Sequence, residues 1–254
     1  MRFFISDLHF AALKQDKTRA ISVFEAFCRA LPQDGELCIL GDFFDFWIEY
    51  RYFVPADFVE IYAILLELKS RGVKVKFVRG NHDFMRGDFL KILGVEIFDR
   101  IYEFEQNGKK ILCTHGYEIS GNVLQYLLSA VLRSAVCQFL YKLLPGDFAI
   151  WLMKSLSEQS RKKDDGKTDA SLRKAKYREC AFNFAVGNDC DILIAGHSHI
   201  GDLFEREGKI YANCGIWAKR PTYIAVAGKK IFLKEFCGND LRNDVVLEEK
   251  EVLL

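Results

Sequence analysis

Five short, mostly apolar runs, at residues 3–6, 36–40, 74–78, 110–114 and 191–195, each lead into Gly, Asp, His or Asn, the third of them after Arg79. Apolar residues at successive rather than alternate positions, over so few residues, mark strands covered on both faces. Between the first three runs lie stretches with helical spacing. Ile21, Phe24, Cys28 and Leu31 form one, and Phe58, Ile61, Tyr62, Leu65 and Leu68 form the other. This alternation predicts an α/β layered fold. Residues 210–212, 223–226 and 230–236 predict short strands separated by Gly and Pro turns, a meander that makes the sheet system mixed. A chain of 254 residues, half of them hydrophobic, can bury one ordinary core, so residues 1–254 are expected to form a single domain with one insertion.

That insertion breaks the rhythm. Residues 123–144 are strongly apolar, with Arg133 and Lys142 as the only charges before Pro145-Gly146. The length suits a membrane span. However, His115 precedes the segment and His197 follows it, so a crossing would place two parts of one proposed site on opposite sides of a bilayer. An inserted helical lid over residues 120–180, partly apolar on its outer face, is the expectation. Residues 161–178 carry eight Lys or Arg against three Asp, with Gly166 and Thr168 among them, and predict a flexible loop entering a helix.

The charge balance, 36 basic against 35 acidic residues, provides no global field for a nucleic-acid backbone, so no nucleic-acid partner is expected and any anion binding must be local. Eight cysteines are scattered without close pairs or zinc-ribbon spacing and are expected to be mostly small core residues. The first strand begins at Arg2 with no signal peptide ahead of it, which predicts a reducing, cytoplasmic location.

The chemistry is concentrated in histidine. The chain has five, and each stands at or just beyond a predicted strand end beside other polar residues. The clusters are Asp7-Leu8-His9, Gly41-Asp42-Phe43-Phe44-Asp45, Gly80-Asn81-His82-Asp83, His115-Gly116 and Gly196-His197-Ser198-His199. Residues two apart at a strand end point to the same side, so Asp7 with His9, and His197 with His199, are expected to converge on one centre. Carboxylate, imidazole and amide donors together suit divalent manganese, iron or zinc, and the lack of paired cysteines argues against a structural zinc.

That ordered set resembles the calcineurin-like metallophosphoesterase superfamily, from Arg2 to about Phe236 apart from the insertion. The resemblance implies a four-layer αββα sandwich. It implies two divalent metal ions, manganese first, with Asp7, His9, Asp42 and His199 on one, and Asp42, Asn81, His115 and His197 on the other. Asp42 would bridge the pair. Two cations about 3.5–4 Å apart lower the pKa of a water and neutralise phosphoryl charge, which is hydrolytic phosphoester chemistry. His82 would face the substrate and assist the leaving oxygen, while Asp45 and Asp83 would fix imidazole or backbone geometry.

Longer strings, Gly41-Asp42-Phe43-Phe44-Asp45-Phe46-Trp47 with Glu49-Tyr50, and Gly80-Asn81-His82-Asp83-Phe84, are similar to the UDP-2,3-diacylglucosamine pyrophosphohydrolases of lipid A biosynthesis. Those enzymes carry a helical insertion that covers the acyl chains, and residues 123–144 occupy its place. The resemblance implies a nucleotide-linked glycolipid substrate, release of UMP by water attack on the α-phosphate, and contacts from Ser160 and Arg161 to sugar or diphosphate. Three positions depart from that pattern: His82 stands in place of Arg, Tyr117 in place of Asp, and Cys214-Gly215-Ile216-Trp217 in place of Gly-Asp-Trp. Another phosphodiesterase or phosphatase of the superfamily, acting on nucleotides or small esters, is the enzyme alternative; a metal-poor binding scaffold or a nuclease fits less well. Apolar lid residues Leu127, Leu128, Val131, Leu132, Phe139 and Leu140 predict peripheral association with a membrane surface.

Overall fold

The computed structural model describes residues 1–10, 17–83, 85–120, 123–164, 170–238 and 240–252, without the side chains of 123–126, 128, 158–164 and 170. Its strands are β1 Arg2–Ile5, β2 Glu36–Leu40, β3 Lys74–Val78, β4 Val95–Phe98, β5 Ile101–Gln106, β6 Lys109–Thr114, β7 Ile192–Ala195, β8 Asp202–Arg206, β9 Lys209–Asn213, β10 Thr222–Ala227, β11 Lys230–Glu235 and β12 Val245–Glu251. Its helices are α1 Lys17–Ala30, α2 Val59–Ser70, α3 Phe89–Ile92, α4 Val123–Leu132, α5 Ala135–Lys142, α6 Gly146–Asp164 and α7 Ala170–Gly187.

The strands form two mixed sheets, ordered β12-β11-β10-β1-β2-β3-β4 and β5-β6-β7-β9-β8. Alternation along each central strand explains the continuous apolar runs. In β1, Phe3 and Ile5 face a helix-side core with α1 and α2, while Phe4 faces the second sheet. In β2, Leu37 and Ile39 point one way and Cys38 and Leu40 the other. The second sheet mirrors this: Ile111, Cys113, Ile192 and Ile194 fill the space between the sheets, and Leu112, Leu193 and Tyr211 pack under α7 through Ala181 and Ala185. Helix, sheet, sheet, helix is the expected four-layer order, with three separate apolar seams.

All eight cysteines are free thiols, five of them buried. The apolar run 123–144 is two helices rather than one. Ser134 caps α5, its Oγ accepting from Cys137 N at 3.2 Å, which ends α4 and turns the chain. Helix α6 then continues to Asp164, so the stretch expected to be a loop from residue 161 begins as helix; residues 165–169 lie outside the described residues. Among the described residues no helix is long and apolar enough to cross a membrane.

Candidate metal centre

Asp7, His9, Asp42, His197 and His199 all have left-handed backbones, with φ between 49° and 64°. They make up five of the nine non-glycine residues in that region among the described residues, and the other four are Asp34, Asn107, Asp189 and Glu207. The chain thus turns sharply just beyond β1, β2 and β7, and strain of this kind persists only where surrounding structure enforces it. This corrects the sequence-based explanation: Asp7 with His9, and His197 with His199, converge through paired left-handed residues past the strand ends, not through the pleat of a strand.

The turns are held by one another. Asp7 and His9 donate backbone N–H to the carbonyls of Gly41 and Asp42 at 3.2 and 2.9 Å. Asp83, fully buried, accepts from Gly80 N and Phe43 N at 2.7 Å each, tying the loop after β2 to the loop after β3. Asp7 Oδ2 accepts from His197 N at 2.9 Å, and Asp42 Oδ1 from His82 N at 2.9 Å. Each carboxylate therefore has one oxygen fixed by backbone and presents the other.

Several of the presented atoms face each other without a hydrogen bond. Both ring nitrogens of His9 are buried without a hydrogen-bond partner, and His9 Nε2 lies 3.8 Å from Asp7 Oδ1 and 3.9 Å from Asp42 Oδ2. Asp7 Oδ1 stands 3.2 Å from His199 Nε2 without the directionality of a hydrogen bond. His115 Nδ1 donates to the Leu40 carbonyl at 2.8 Å, which turns Nε2 toward Asp42 Oδ2 at 3.4 Å and Asn81 Oδ1 at 3.0 Å. The His197 ring packs 5.0 Å from that of His115. Buried donors are ordinarily satisfied, so converging orphaned lone pairs fit divalent cations. Asp7, His9 and His199 form one group with ligand atoms within 4.8 Å of one another, and Asp7, Asp42 and His115 another. A third such group is His9, Asp45 and His82. Asp7, His9, Asp42, Asn81, His115 and His199 thus lie together, with the His197 ring beside that of His115.

Electrostatics agree with this arrangement. Burial pushes His9 down to about 4 and, with the repulsion of His115, His197 down to about 3, so both rings are neutral at pH 7. Burial opposes the charge on Asp7, but His199 and His115 outweigh it and hold the carboxyl at about 2. Burial likewise opposes a proton on His115, and Asp42 and Asp7 overcome that and raise it to about 10.

Three contacts that sequence reasoning missed come from the insertion. Arg133 donates to the Gly80 carbonyl at 2.7 Å and the Asp99 carbonyl at 2.9 Å and lies over the Tyr117 ring. Gln138 Oε1 accepts from Arg86 N at 3.1 Å. Ser157 of α6 lies 2.7 Å from Asp45 Oδ1 and 3.0 Å from His82 Nδ1. Leu132, Tyr141, Ile150 and Met153 pack in or against the helix-side core, so α4, α5 and α6 are seated on it, and Arg133 and Ser157 reach the loops after β2 and β3. The side chains of Ser160 and Arg161 lie outside the described residues, as does Phe84.

The family model described as calcineurin-like phosphoesterase matches residues 3–201. A Porphyromonas gingivalis protein named UDP-2,3-diacylglucosamine hydrolase is 27% identical over 212 residues, covering 77% of this chain and 81% of its own. Proteins of the same name are 29% identical in Vibrio atlanticus, with 78% and 80% covered, and 27% identical in Haemophilus influenzae, with 85% and 90% covered. Among solved structures, the E. coli phosphoesterase Yfce aligns over 99% of both chains at 14% identity with a TM-score of 0.45. With that family model covering β1 to β7 and the loops that carry the converging donors, the chain belongs to the calcineurin-like phosphoesterases and is a metal-dependent phosphoesterase.

Proposed function

We propose that the protein hydrolyses UDP-2,3-diacylglucosamine to UMP and 2,3-diacylglucosamine 1-phosphate, with manganese as its native metal. One ion would be held by Asp7, His9, Asp42 and His199, and the other by Asp42, Asn81, His115 and His197. Such a pair supplies activation of the attacking water and neutralisation of phosphoryl charge. Asp42, with Oδ1 taken by His82 N–H, offers Oδ2 between His9 and His115 and is the bridging residue. His82 presents Nε2 3.9 Å from that oxygen, facing the phosphate and its leaving oxygen. Ser160 and Arg161 contact the sugar or diphosphate.

The observation that carries the substrate assignment is an apolar insertion fastened to the metal loops. Its outer surface exposes Leu127, Val131, Phe139, Leu140, Leu143 and Trp151, each more than half exposed. A substrate with a diphosphate at one end and acyl chains at the other needs both surfaces together, and the names of the three relatives point the same way. The same exposed side chains support peripheral binding at the cytoplasmic face of the membrane, where acyl chains are presented.

Metal-stripped protein reloaded with manganese is assayed for UMP release from UDP-2,3-diacylglucosamine, beside bis-p-nitrophenyl phosphate and an Asp42→Asn variant. Rapid UMP release that disappears in the variant is expected. Cleavage of the generic diester alone would refute the lipid substrate and leave the superfamily's nucleotide and small-ester hydrolases as the better description.

A further inference from the structure

We infer that Ser157, on the inserted helix α6, is a positioning residue for His82: it fixes which ring nitrogen faces the reacting phosphate and links seating of the insertion to the chemistry. This rests on the reading of His82 as the side chain that faces substrate. Ala149, Met153 and Ser157, four residues apart, form the buried stripe of α6, whereas Phe148, Trp151 and Leu156 on its other sides are exposed. A serine on that stripe brings a polar atom to a buried place, and its partners define its role.

The hydroxyl has one hydrogen, and it is donated to Asp45 Oδ1 at 2.7 Å. Ser157 Oγ is then an acceptor toward His82 Nδ1 at 3.0 Å. The Asp45 backbone carbonyl, 3.3 Å from the same nitrogen, can only accept, so both neighbours require a hydrogen on Nδ1. Nε2 is left directed at the metal loops, 3.9 Å from Asp42 Oδ2. To assist the leaving group, His82 must carry a second hydrogen, taken up from solvent at Nε2; that N–H bond breaks as an O–H bond forms on the departing oxygen, and the Nδ1 hydrogen stays with Ser157. Because Ser157 is carried by α6, the closer of the two contacts that hold the ring is made only while the insertion is seated.

The test uses metal-loaded full-length protein and two aryl esters of UMP, p-nitrophenyl and phenyl, which differ in how much the departing oxygen needs a proton. Ser157→Ala is expected to lower kcat on the phenyl ester about tenfold and on the p-nitrophenyl ester less than about twofold, with KM and bound metal unchanged. Ser157→Thr should restore the phenyl ester rate, and Ser157→Ala should add nothing in a His82→Ala background. The 15N signal of a hydrogen-bonded His82 Nδ1 should be present in wild type and should shift toward a weaker hydrogen bond in Ser157→Ala, where only the Asp45 carbonyl at 3.3 Å remains. Equal losses on both esters, loss of metal, or additivity with His82→Ala would overturn the positioning role while leaving His82 in place. Wild-type rates on both esters in His82→Ala would remove the reading of His82 itself, and this inference with it.

Discussion

A methyl group added at Gly80 would lie 2.1 Å from Asp42 Oδ1 and 2.3 Å from Asp42 N, where ordinary contact begins at 3.4 Å. The shortfall is about 1.3 Å against the carboxylate, and the neighbours cannot give way cheaply. Gly80 N and Phe43 N are both bound by the Asp83 carboxylate at 2.7 Å, and His82 N holds the same Asp42 oxygen at 2.9 Å. The φ of Gly80 lies outside the left-handed region, so alanine introduces no backbone strain of its own and the clash acts alone. Gly80→Ala should therefore cost about 1–3 kcal/mol of stability. Displacing the bridging carboxylate by roughly 1 Å should lower kcat/KM about 100-fold. Urea denaturation of the metal-stripped protein reads the first effect, and hydrolysis of bis-p-nitrophenyl phosphate in excess manganese reads the second. Gly187→Ala, where an added methyl meets nothing within 4 Å, is the control and should leave both unchanged. A Gly80→Ala protein with wild-type rate and metal content would refute the close packing of the two loops.

Metal uptake should release a proton from His115, which Asp42 and Asp7 hold at about 10 despite burial. His9 and His197, at about 4 and 3, are already neutral and release none near pH 7. Affinity should therefore weaken as pH falls from 9 to 7, by about tenfold per unit, with calorimetric heats that depend on the buffer's ionisation enthalpy. Buffer-independent heats would contradict this. Arg133→Ala removes the donors to the Gly80 and Asp99 carbonyls and should cost about 1–3 kcal/mol while raising KM for the lipid more than for the generic diester. Phe139→Glu with Trp151→Glu, both on exposed side chains, should abolish flotation with anionic vesicles and leave generic diester hydrolysis unchanged.

The central strands were legible in the sequence because both of their faces are buried. The four strands that the apolar runs did not reveal, β4, β5, β8 and β12, are the four edges of the two sheets. Edges bury less and carry charge, as Glu103 and Glu105 in β5 and the glutamates of β12 do, so their pattern resembles loop. At the site, every proposed ligand could be found from the clustering of five histidines with Asp and Asn after strands. Its geometry could not, because left-handed residues alternating with an ordinary one, in Asp7-Leu8-His9 and His197-Ser198-His199, have no composition signal apart from the tolerance of Asp and His for that region. The break at Ser134 was not read from the sequence, where residues 123–144 form one apolar segment; it shows only in the cap that Ser134 makes for α5. Arg133, Gln138 and Ser157 were not readable as site neighbours, since only the folding back of the insertion brings them to hydrogen-bond partners 34 to 112 residues away in sequence, from Asp99 for Arg133 to Asp45 for Ser157. 

The central claim, a two-cation centre bridged by Asp42, is tested most directly by diffraction from manganese-loaded crystals at the manganese edge. Two anomalous peaks about 3.5–4 Å apart, with Asp42 between them, are the predicted result. A single peak, or two that do not share Asp42, would contradict it.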